Sequence, residues 1–237
     1  MILNFAHRGS LTEAPENTLP AIQKALDHGA KAIEIDVQLT KDHQLIVIHD
    51  QSLERFNSVL GLVKDYTLEE LKKIDIGSTF SKDFAGVTLA TLDEIMQIVP
   101  SNILINIEIK NMPIIYDNIE QLILECLKRY DRLDTVIISS FDHKVLEKFQ
   151  KLAPDCLIGL LFYYRTLKPW NYAKNCGLNV YSIHPNVAHT DEELIKECQN
   201  VGYKVYPYTV NMVEKYEELV DWGVDGVFSN NPQIFKL

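Results

Sequence analysis

Short apolar runs alternate with helix-like segments through most of the chain, and this alternation limits the folds that the 237 residues can adopt. Strands that alternate with helices pair in parallel, and eight such units favour a closed (β/α)8 TIM barrel over an open doubly wound sheet. No G-x-G-x-x-G sequence follows the first run, which argues against a dinucleotide-binding fold. The predicted strands cover residues 2–6, 32–37, 103–109, 135–140, 156–162, 179–184, 203–209 and 223–229.

Residues 51–90 interrupt this rhythm with irregular sequence. A segment of this length inside a domain is usually functional or a small inserted unit. We therefore predict one TIM-barrel domain over residues 1–237, with an insertion after the second strand at about 51–90, beside the site. An N-cap residue followed three positions later by Glu predicts helix starts; this pattern occurs at Thr67, Thr91, Thr190 and Asn211, and a short helix is also expected after Pro232.

The composition restricts the partners of the chain. A net charge of -10 and a pI of about 5.2 argue against nucleic acid or an anionic membrane surface as the main partner. No apolar run is long enough to span a membrane, so we expect no stable membrane insertion. A strand-like run follows Met1 at once, so we expect no signal peptide and a cytoplasmic protein. Four scattered cysteines indicate reduced thiols, and the oligomeric state is left open.

Two carboxylates stand one residue apart on the second predicted strand. Side chains alternate between the faces of a strand, so Glu34 and Asp36 point one way while Ile33, Ile35 and Val37 point the other. An unpaired buried charge costs about several kcal/mol. A shared proton, approaching Lys or Arg side chains, or a divalent cation with oxygen ligands would each offset that cost.

Polar residues follow several predicted strands, and the carboxyl ends of the strands form the active-site face of such barrels. His7, Arg8, His49, Glu108 and Lys110 occupy these positions, so we expect them to converge with the two carboxylates. An all-oxygen set of Glu34, Asp36 and Glu108 suits Mg2+ or Ca2+. With such an ion, and with Arg8 and Lys110, the site would carry roughly +1 and accept a phosphodiester monoanion. Either histidine can act as a general acid or base near neutral pH.

Taken in order, these motifs resemble the glycerophosphodiester phosphodiesterase family across essentially the whole chain. The resemblance rests on His7-Arg8-Gly9, Pro15-Glu16-Asn17-Thr18, Glu34-x-Asp36, His49-Asp50, Glu108-x-Lys110, Asp75-x-Gly77, Ser139-Ser140-Phe141, Tyr208-Thr209-Val210-Asn211 and Gly223-Val224-Asp225-Gly226-Val227. Members are TIM barrels that use a divalent metal to hydrolyse glycerophosphodiesters to glycerol 3-phosphate and an alcohol.

By this resemblance, Glu34, Asp36 and Glu108 correspond to metal ligands and His7 and His49 to the acid–base pair. Arg8 and Lys110 then resemble phosphate contacts, and the reaction would proceed through a cyclic phosphate. Which histidine acts first, and which alcohol leaves, stay open. Tyr208 stands where the family often has Trp, and it is a candidate for the alcohol side of the pocket.

Three alternatives remain at this level. A glycosidase-like barrel would use Glu34 or Asp36 with Glu108, but it would not need His7 or His49. A non-catalytic barrel that binds phosphorylated head groups would be expected to lack a ligand or a histidine. A related, cyclising lipid phosphodiesterase would share the site chemistry, and the sequence shows no basic or apolar docking segment that favours it.

Overall fold

In the computed structural model, a ring of eight parallel strands surrounds the barrel axis, and helices cover its outside. The structure describes residues 2–56, 59–231 and 233. The strands are β1 Leu3–His7, β2 Ala32–Leu39, β3 Leu45–Val47, β4 Ala90–Thr91, β5 Leu104–Ile109, β6 Val136–Ser140, β7 Leu157–Phe162, β8 Val180–Pro185, β9 Lys204–Val205 and β10 Gly226–Ser229. The α-helices are α1 Leu19–Asp27, α2 Leu68–Leu71, α3 Leu92–Ile98, α4 Ile119–Arg129, α5 His143–Leu152, α6 Pro169–Asn175, α7 Glu192–Asn200 and α8 Val213–Asp221.

The barrel strands follow the order β10-β1-β2-β5-β6-β7-β8-β9, which confirms the predicted TIM barrel. The chain after β9 closes the ring against β10, since the N–H of Val210 donates to the Phe228 carbonyl (2.8 Å) and the N–H of Phe228 donates to the Pro207 carbonyl (3.0 Å). The helix predicted after Pro232 lies outside the described residues.

The strand register sets the polar residues beside one another. His7 pairs with Glu34 between β1 and β2, and Asp36 pairs with Glu108 between β2 and β5. Because neighbours in register lie at the same height along the axis, their inward side chains meet. The register therefore brings an imidazole and three carboxylates together at the carboxyl end of the barrel.

Apolar side chains pack on both faces of the barrel strands. The alternate residues Ile33, Ile35, Ile105 and Ile107 face the helices and are fully buried, as their spacing predicts. Inside the barrel, the ring of Phe5 stacks on Phe228 at 4.6 Å and lies edge-on to Tyr206 at 5.1 Å. These aromatic rings fill the interior, so space for a ligand is left only near the carboxyl ends of the strands.

The insertion after β2 has a small core of its own. Strand β3 folds back antiparallel to β2 and pairs with β4, so the insertion leaves and rejoins the barrel at adjacent strands. Its short helix α2 carries the predicted capping box of Thr67 and Glu70. The buried residues of this core are Ile46, Ile48, Leu53, Phe56, Val63, Leu71, Ile76 and Leu89.

Two of the predicted helix caps are wrong. The hydroxyl of Thr190 donates to the Asn186 carbonyl (3.0 Å), so Asp191 caps α7 instead and accepts the N–H of Leu194 (2.9 Å). Helix α8 begins after Met212 with no side-chain cap. Asn211, the predicted cap, instead accepts the N–H of Asn230 at 3.0 Å.

Strand β9 is shorter than the predicted range of 203–209. Regular pairing with β8 ends at Val205, and Pro207, which has no N–H to donate, contacts Phe228 through its carbonyl. Past that point, an isolated bridge between Asn186 and Tyr208 continues the contact with β8. Among the described residues, no helix combines the length and the apolar character that a membrane crossing requires.

Candidate active site

The structure brings all eight predicted site residues to the carboxyl end of the barrel. His7 ends β1, Glu34 and Asp36 lie on β2, and Glu108 lies near the end of β5. Arg8 and Lys110 directly follow their strands, His49 follows β3, and Tyr208 follows β9. A small cavity of about 20 Å³, room for about one water molecule, is lined by His7, Glu34, Asn106, Glu108, Leu161, Tyr208 and Phe228.

The three carboxylates form a cluster that could hold a metal ion. Oxygen atoms of Glu34, Asp36 and Glu108 lie within 4.8 Å of one another. Their side chains are 4%, 1% and 12% exposed, so water cannot screen their mutual repulsion. Oδ1 of Asp36 is buried and accepts no hydrogen bond within the described part of the chain. An all-oxygen donor set with such an atom fits a hard divalent cation.

Burial and neighbouring charges shift the pKa values of the three carboxyl groups in different directions. Burial raises the pKa of Glu34 well above its usual range, and the charges of Asp36 and Glu108 raise it further. Burial also raises the pKa of Glu108, although Lys110 partly offsets it. For Asp36, burial alone would raise the pKa, but the charges of Arg8 and Lys110 outweigh it and hold the pKa well below normal.

Arg8 contacts the cluster through both its backbone and its side chain. Its N–H donates to Glu34 Oε2 (2.9 Å), its Nε lies 3.3 Å from Asp36 Oδ2, and its Nη1 donates to Glu16 (3.0 Å). This geometry needs a left-handed backbone, with φ of 57° at Arg8 and 84° at Gly9. A Cβ at Gly9 would lie 2.6 Å from the Ala21 backbone, so only glycine fits there.

Lys110 supplies the second cation. Its Nζ donates to Glu108 Oε1 (2.7 Å) and lies 3.7 Å from Asp36 Oδ1. It also lies 5.9 Å from the ring centroid of Phe141, whose edge meets Tyr208. The cluster is therefore flanked by a guanidinium on one side and an ammonium on the other.

Asn17 fixes Asp36 and was not singled out as a site residue from the sequence. Its Nδ2 donates to Asp36 Oδ2 (2.9 Å), and its Oδ1 accepts the N–H of Asp36 (3.3 Å). Asn17 is buried and has a φ of 58°. In the sequence, Asn17 belongs to a predicted helix entry and directly precedes the N-cap Thr18. Its contact with Asp36 joins residues 19 positions apart, so no local pattern indicates it.

His7 is oriented by a neutral partner. Its Nδ1 donates to Asn230 Oδ1 (2.6 Å), so its other nitrogen, Nε2, carries the lone pair and lies 3.9 Å from Glu34 Oε2. Burial, with the charge of Arg8, lowers the pKa of His7 to about 4. His7 is therefore neutral near pH 7, and Asn211 supports it by holding Asn230.

His49 is oriented by a carboxylate. Its Nδ1 donates to Asp50 Oδ1 at 2.6 Å, a contact that fixes which nitrogen faces the site. The amide of Gln38 donates to the carbonyls of Ile48, His49 and Asp50 and so holds this segment. His49 lies near enough to the cluster that its positive charge lowers the pKa of Asp36 and of Glu108.

Tyr208 and Asn106 line the cavity, whereas His184, one residue before the end of β8 at Pro185, does not. The hydroxyl of Tyr208 donates to the Phe162 carbonyl (3.1 Å), which leaves the ring against the cavity. Asn106 also lines the cavity, and its buried Oδ1 has no hydrogen-bond partner among the described residues. His184 does not line the mouth, because it is fully buried beside Tyr206 and Phe228.

Comparison with known proteins gives the family. The chain is 41% identical to a glycerophosphodiester phosphodiesterase of Caldanaerobacter subterraneus subsp. tengcongensis, over 98% of this chain and 95% of that protein. It is 39% identical to a glycerophosphodiester phosphodiesterase of Bacillus altitudinis, over 96% and 94%.

Among solved structures, an Oleispira antarctica phosphodiesterase in complex with the product sn-glycerol-3-phosphate is 29% identical with a TM-score of 0.90, over 98% of this chain and 94% of that one. A glycerophosphodiester phosphodiesterase of Agrobacterium tumefaciens, 24% identical over 99% of each chain with a TM-score of 0.83, shows the same fold. The sequence model of the glycerophosphoryl diester phosphodiesterase family matches residues 7–234 of this chain. The chain belongs to the glycerophosphoryl diester phosphodiesterase family.

Proposed function

We propose that this protein hydrolyses glycerophosphodiesters to glycerol 3-phosphate and an alcohol, with one divalent cation, Mg2+ or Ca2+, held by Glu34, Asp36 and Glu108. The observation that carries the proposal is the meeting of these carboxylates with two imidazoles and two cationic side chains at one end of the barrel. The relatives named glycerophosphodiester phosphodiesterase support the same activity.

The charges explain how an acidic protein can take an anionic substrate. Glu34, Asp36 and Glu108 contribute -3, and Arg8 and Lys110 contribute +2, so the metal-free site carries about -1. A divalent cation changes this to about +1, offsets charge on the phosphoryl oxygens and helps to acidify an attacking hydroxyl. In the proposed complex, Arg8 and Lys110 contact the phosphate, and Tyr208 lies on the alcohol side.

The different partners of the two histidines support different roles in the first step. His7, neutral because its pKa is lowered, accepts at Nε2 the proton of the glycerol hydroxyl next to the phosphate. That hydroxyl oxygen attacks phosphorus, and the bond from phosphorus to the leaving alcohol breaks. His49 donates the proton from its Nε2 to this alcohol, while Asp50 offsets its positive charge through Nδ1.

The second step reverses these roles. A water molecule attacks the cyclic phosphate and gives its proton to His49, and the proton on His7 passes to the departing glycerol oxygen. Each histidine is then restored, and the product is glycerol 3-phosphate. Asp50 stays ionised throughout, because its hydrogen bond with His49 lowers its pKa.

The test is a turnover assay across glycerophosphodiesters with glycerophosphocholine as the first substrate. Glycerol 3-phosphate should appear with Mg2+ or Ca2+ and cease in excess chelator. His7→Ala and His49→Ala should each lower kcat by about 10²–10⁴-fold, the usual contribution of acid–base catalysis. His28→Ala is the matched control, because His28 also pairs with a carboxylate, Glu13, but on the surface.

Each part of the proposal has its own contrary result. Full turnover in excess chelator would remove the metal role, and full turnover in either alanine variant would remove the acid–base role. Tight binding of glycerol 3-phosphate without turnover of any diester would favour the non-catalytic barrel.

One observation favours a second candidate, a lipid phosphodiesterase. The segment after β7 exposes Tyr163 (58%), Tyr164 (77%) and Leu167 (88%) at the active-site end of the barrel. The sequence showed no apolar docking segment, so the exposure of these side chains is a difference from that expectation. An exposed surface of this kind suits an amphiphilic leaving group. Faster turnover of lysophosphatidylcholine than of glycerophosphocholine would select this candidate, and no turnover of the lipid would exclude it.

A further inference from the structure

Arg55 lies in the insertion and joins two parts of the candidate site. Its Nε lies 2.9 Å from Asp50 Oδ2, and its Nη2 donates to Glu16 Oε1 at 2.6 Å. Its guanidinium also lies 4.6 Å from the ring centroid of Phe56, which belongs to the core of the insertion. A single side chain of the insertion therefore holds two carboxylates, Asp50 beside His49 and Glu16 beside Arg8.

The first contact bears on His49. Asp50 uses Oδ1 to accept the Nδ1 hydrogen of His49 and Oδ2 to meet Arg55, so both carboxylate oxygens are engaged. The side chains of His49 and Asp50 are 33% and 38% exposed, so packing alone does not fix them. Arg55 restricts rotation of the Asp50 carboxylate, and this in turn fixes the plane of the His49 ring.

The second contact bears on Arg8. Glu16 Oε1 accepts hydrogen bonds from both Arg8 Nη1 (3.0 Å) and Arg55 Nη2 (2.6 Å). Arg8 is thereby held with its Nε 3.3 Å from Asp36. Five contacts join six side chains into one series, in the order His49, Asp50, Arg55, Glu16, Arg8 and Asp36. From Asp50 onward, the charge alternates along this series.

We infer that Arg55 is a positioning residue for the reaction, which orients His49 through Asp50 and Arg8 through Glu16. The inference rests on the proposed function, since it gives the insertion a part in that same site. Arg55 contacts neither the three clustered carboxylates nor His49 directly in the described structure, so its effect passes through the two carboxylates that it binds.

The experiment compares Arg55→Ala, Asp50→Ala and the double variant in the turnover assay. Loss of a partner that orients a catalytic or ligating side chain typically lowers activity by about 10–100-fold. We expect Arg55→Ala to lower kcat within this range, because His49 acts on the reacting atoms, and to raise KM as far as Arg8, a proposed phosphate contact, is displaced. In the Asp50→Ala background, removal of Arg55 should have a smaller effect on kcat, because its path to His49 is already broken and only its path through Glu16 to Arg8 remains.

A spectroscopic readout separates orientation from general stability. The Nδ1 proton of His49, hydrogen-bonded to Asp50, should give a downfield proton resonance that Arg55→Ala shifts or broadens. Arg129→Ala is the matched control, because Arg129 pairs with Asp93 on the outer helices; it should change neither kcat nor the resonance. If Arg55→Ala does not fold, Arg55→Met keeps the apolar part of the side chain over Phe56 and replaces it in every comparison.

Equal kcat in Arg55→Ala and the wild type, with an unchanged resonance, would overturn the inference while leaving the proposed function intact. If the effects of Arg55→Ala and Asp50→Ala multiply in full, the part of the inference that orients His49 through Asp50 is overturned. If the wild type turns over no glycerophosphodiester, the proposed function fails, and the resonance alone then decides whether Arg55 orients His49.

Discussion

Addition of Mg2+ or Ca2+ to the metal-stripped protein is expected to raise its thermal unfolding midpoint. Without the ion, three carboxylates with oxygens within 4.8 Å of one another face two cations, which leaves a net charge of about -1. Two unit charges at that distance repel each other by about 3 kcal/mol at an effective dielectric constant of about 20. The ion binds only the folded arrangement and relieves this repulsion.

The size of the effect follows from binding linkage. An ion at one hundred times its dissociation constant stabilises the folded state by about 2.7 kcal/mol. For a domain of this length, each kcal/mol moves the midpoint by about 2–4 °C. The midpoint should therefore rise by about 5–11 °C as the ion concentration is raised from zero to that level.

The assay is a series of thermal melts followed by circular dichroism, for the wild type and Glu108→Gln. The variant keeps the shape of Glu108 but removes one charge of the cluster. Its metal-free midpoint should equal or exceed that of the wild type, because repulsion falls, and its response to the ion should largely disappear. Glu147→Gln is the control, since Glu147 also pairs with a lysine but on the surface of α5.

Three results would contradict this reasoning. The first is a wild-type midpoint that is the same in chelator and in millimolar Mg2+ or Ca2+. The second is a response of Glu108→Gln to the ion equal to that of the wild type. A lower metal-free midpoint of Glu108→Gln would show that the pair with Lys110 outweighs the repulsion, and the charge argument would then be wrong.

Three further perturbations have defined outcomes. Asn17→Ala should weaken ion binding by about 10–100-fold, because Asp36 loses its orienting amide, and a titration of the melting midpoint measures this. Gly9→Ala should lower the free energy of unfolding by at least about 2 kcal/mol in urea, because φ is positive and the added Cβ meets Ala21. Burial lowers the pKa of His184 to about 3, below its value of about 6.5 in the unfolded chain. The unfolded state therefore takes up the proton first, and stability is lost as the pH falls from about 6.5 toward 3. His184→Gln removes this group, so acid unfolding should move to lower pH.

Each substitution has a control variant of the same residue type at another position. Asn175→Ala, on the outside of α6, should leave ion binding unchanged. Gly29→Ala has a positive φ but no atom near the added Cβ, so its smaller loss isolates the effect of the clash at Gly9. His28→Gln should leave acid unfolding unchanged, and an equal shift in this variant and in His184→Gln would contradict the linkage argument.

The strand–helix alternation and the strand faces could be read from the sequence because both are local. A period of two residues is enough to place Glu34 and Asp36 on one face and the isoleucines on the other, and the barrel rule then places His7, Glu108 and Lys110 at the same end. Confirmation of these placements needed only the register between β1, β2 and β5.

Other features of the site depend on contacts between distant parts of the chain. Gln38 holds the His49 segment only because β3 folds back beside β2. Arg55 reaches Glu16 across 39 positions of sequence, through an insertion whose path has no repeating pattern. The cap of α7 was predicted one residue too early because Thr190 and Asp191 are both good caps, and the competing bond from Thr190 to Asn186 is not visible in the sequence.

The charges of the barrel and of the insertion form one system. Arg8 and Lys110 do not balance the formal charge of the three carboxylates, so in the proposed function a divalent cation would bind before an anionic substrate. Arg8 meanwhile shares Glu16 with Arg55, and Asp50 lies between Arg55 and His49. Removal of Arg55 would leave Glu16 with Arg8 and Asp50 with His49, so each carboxylate would lose one of the two contacts that hold it. The insertion is therefore better understood as a support of the reacting groups than as a cover beside them.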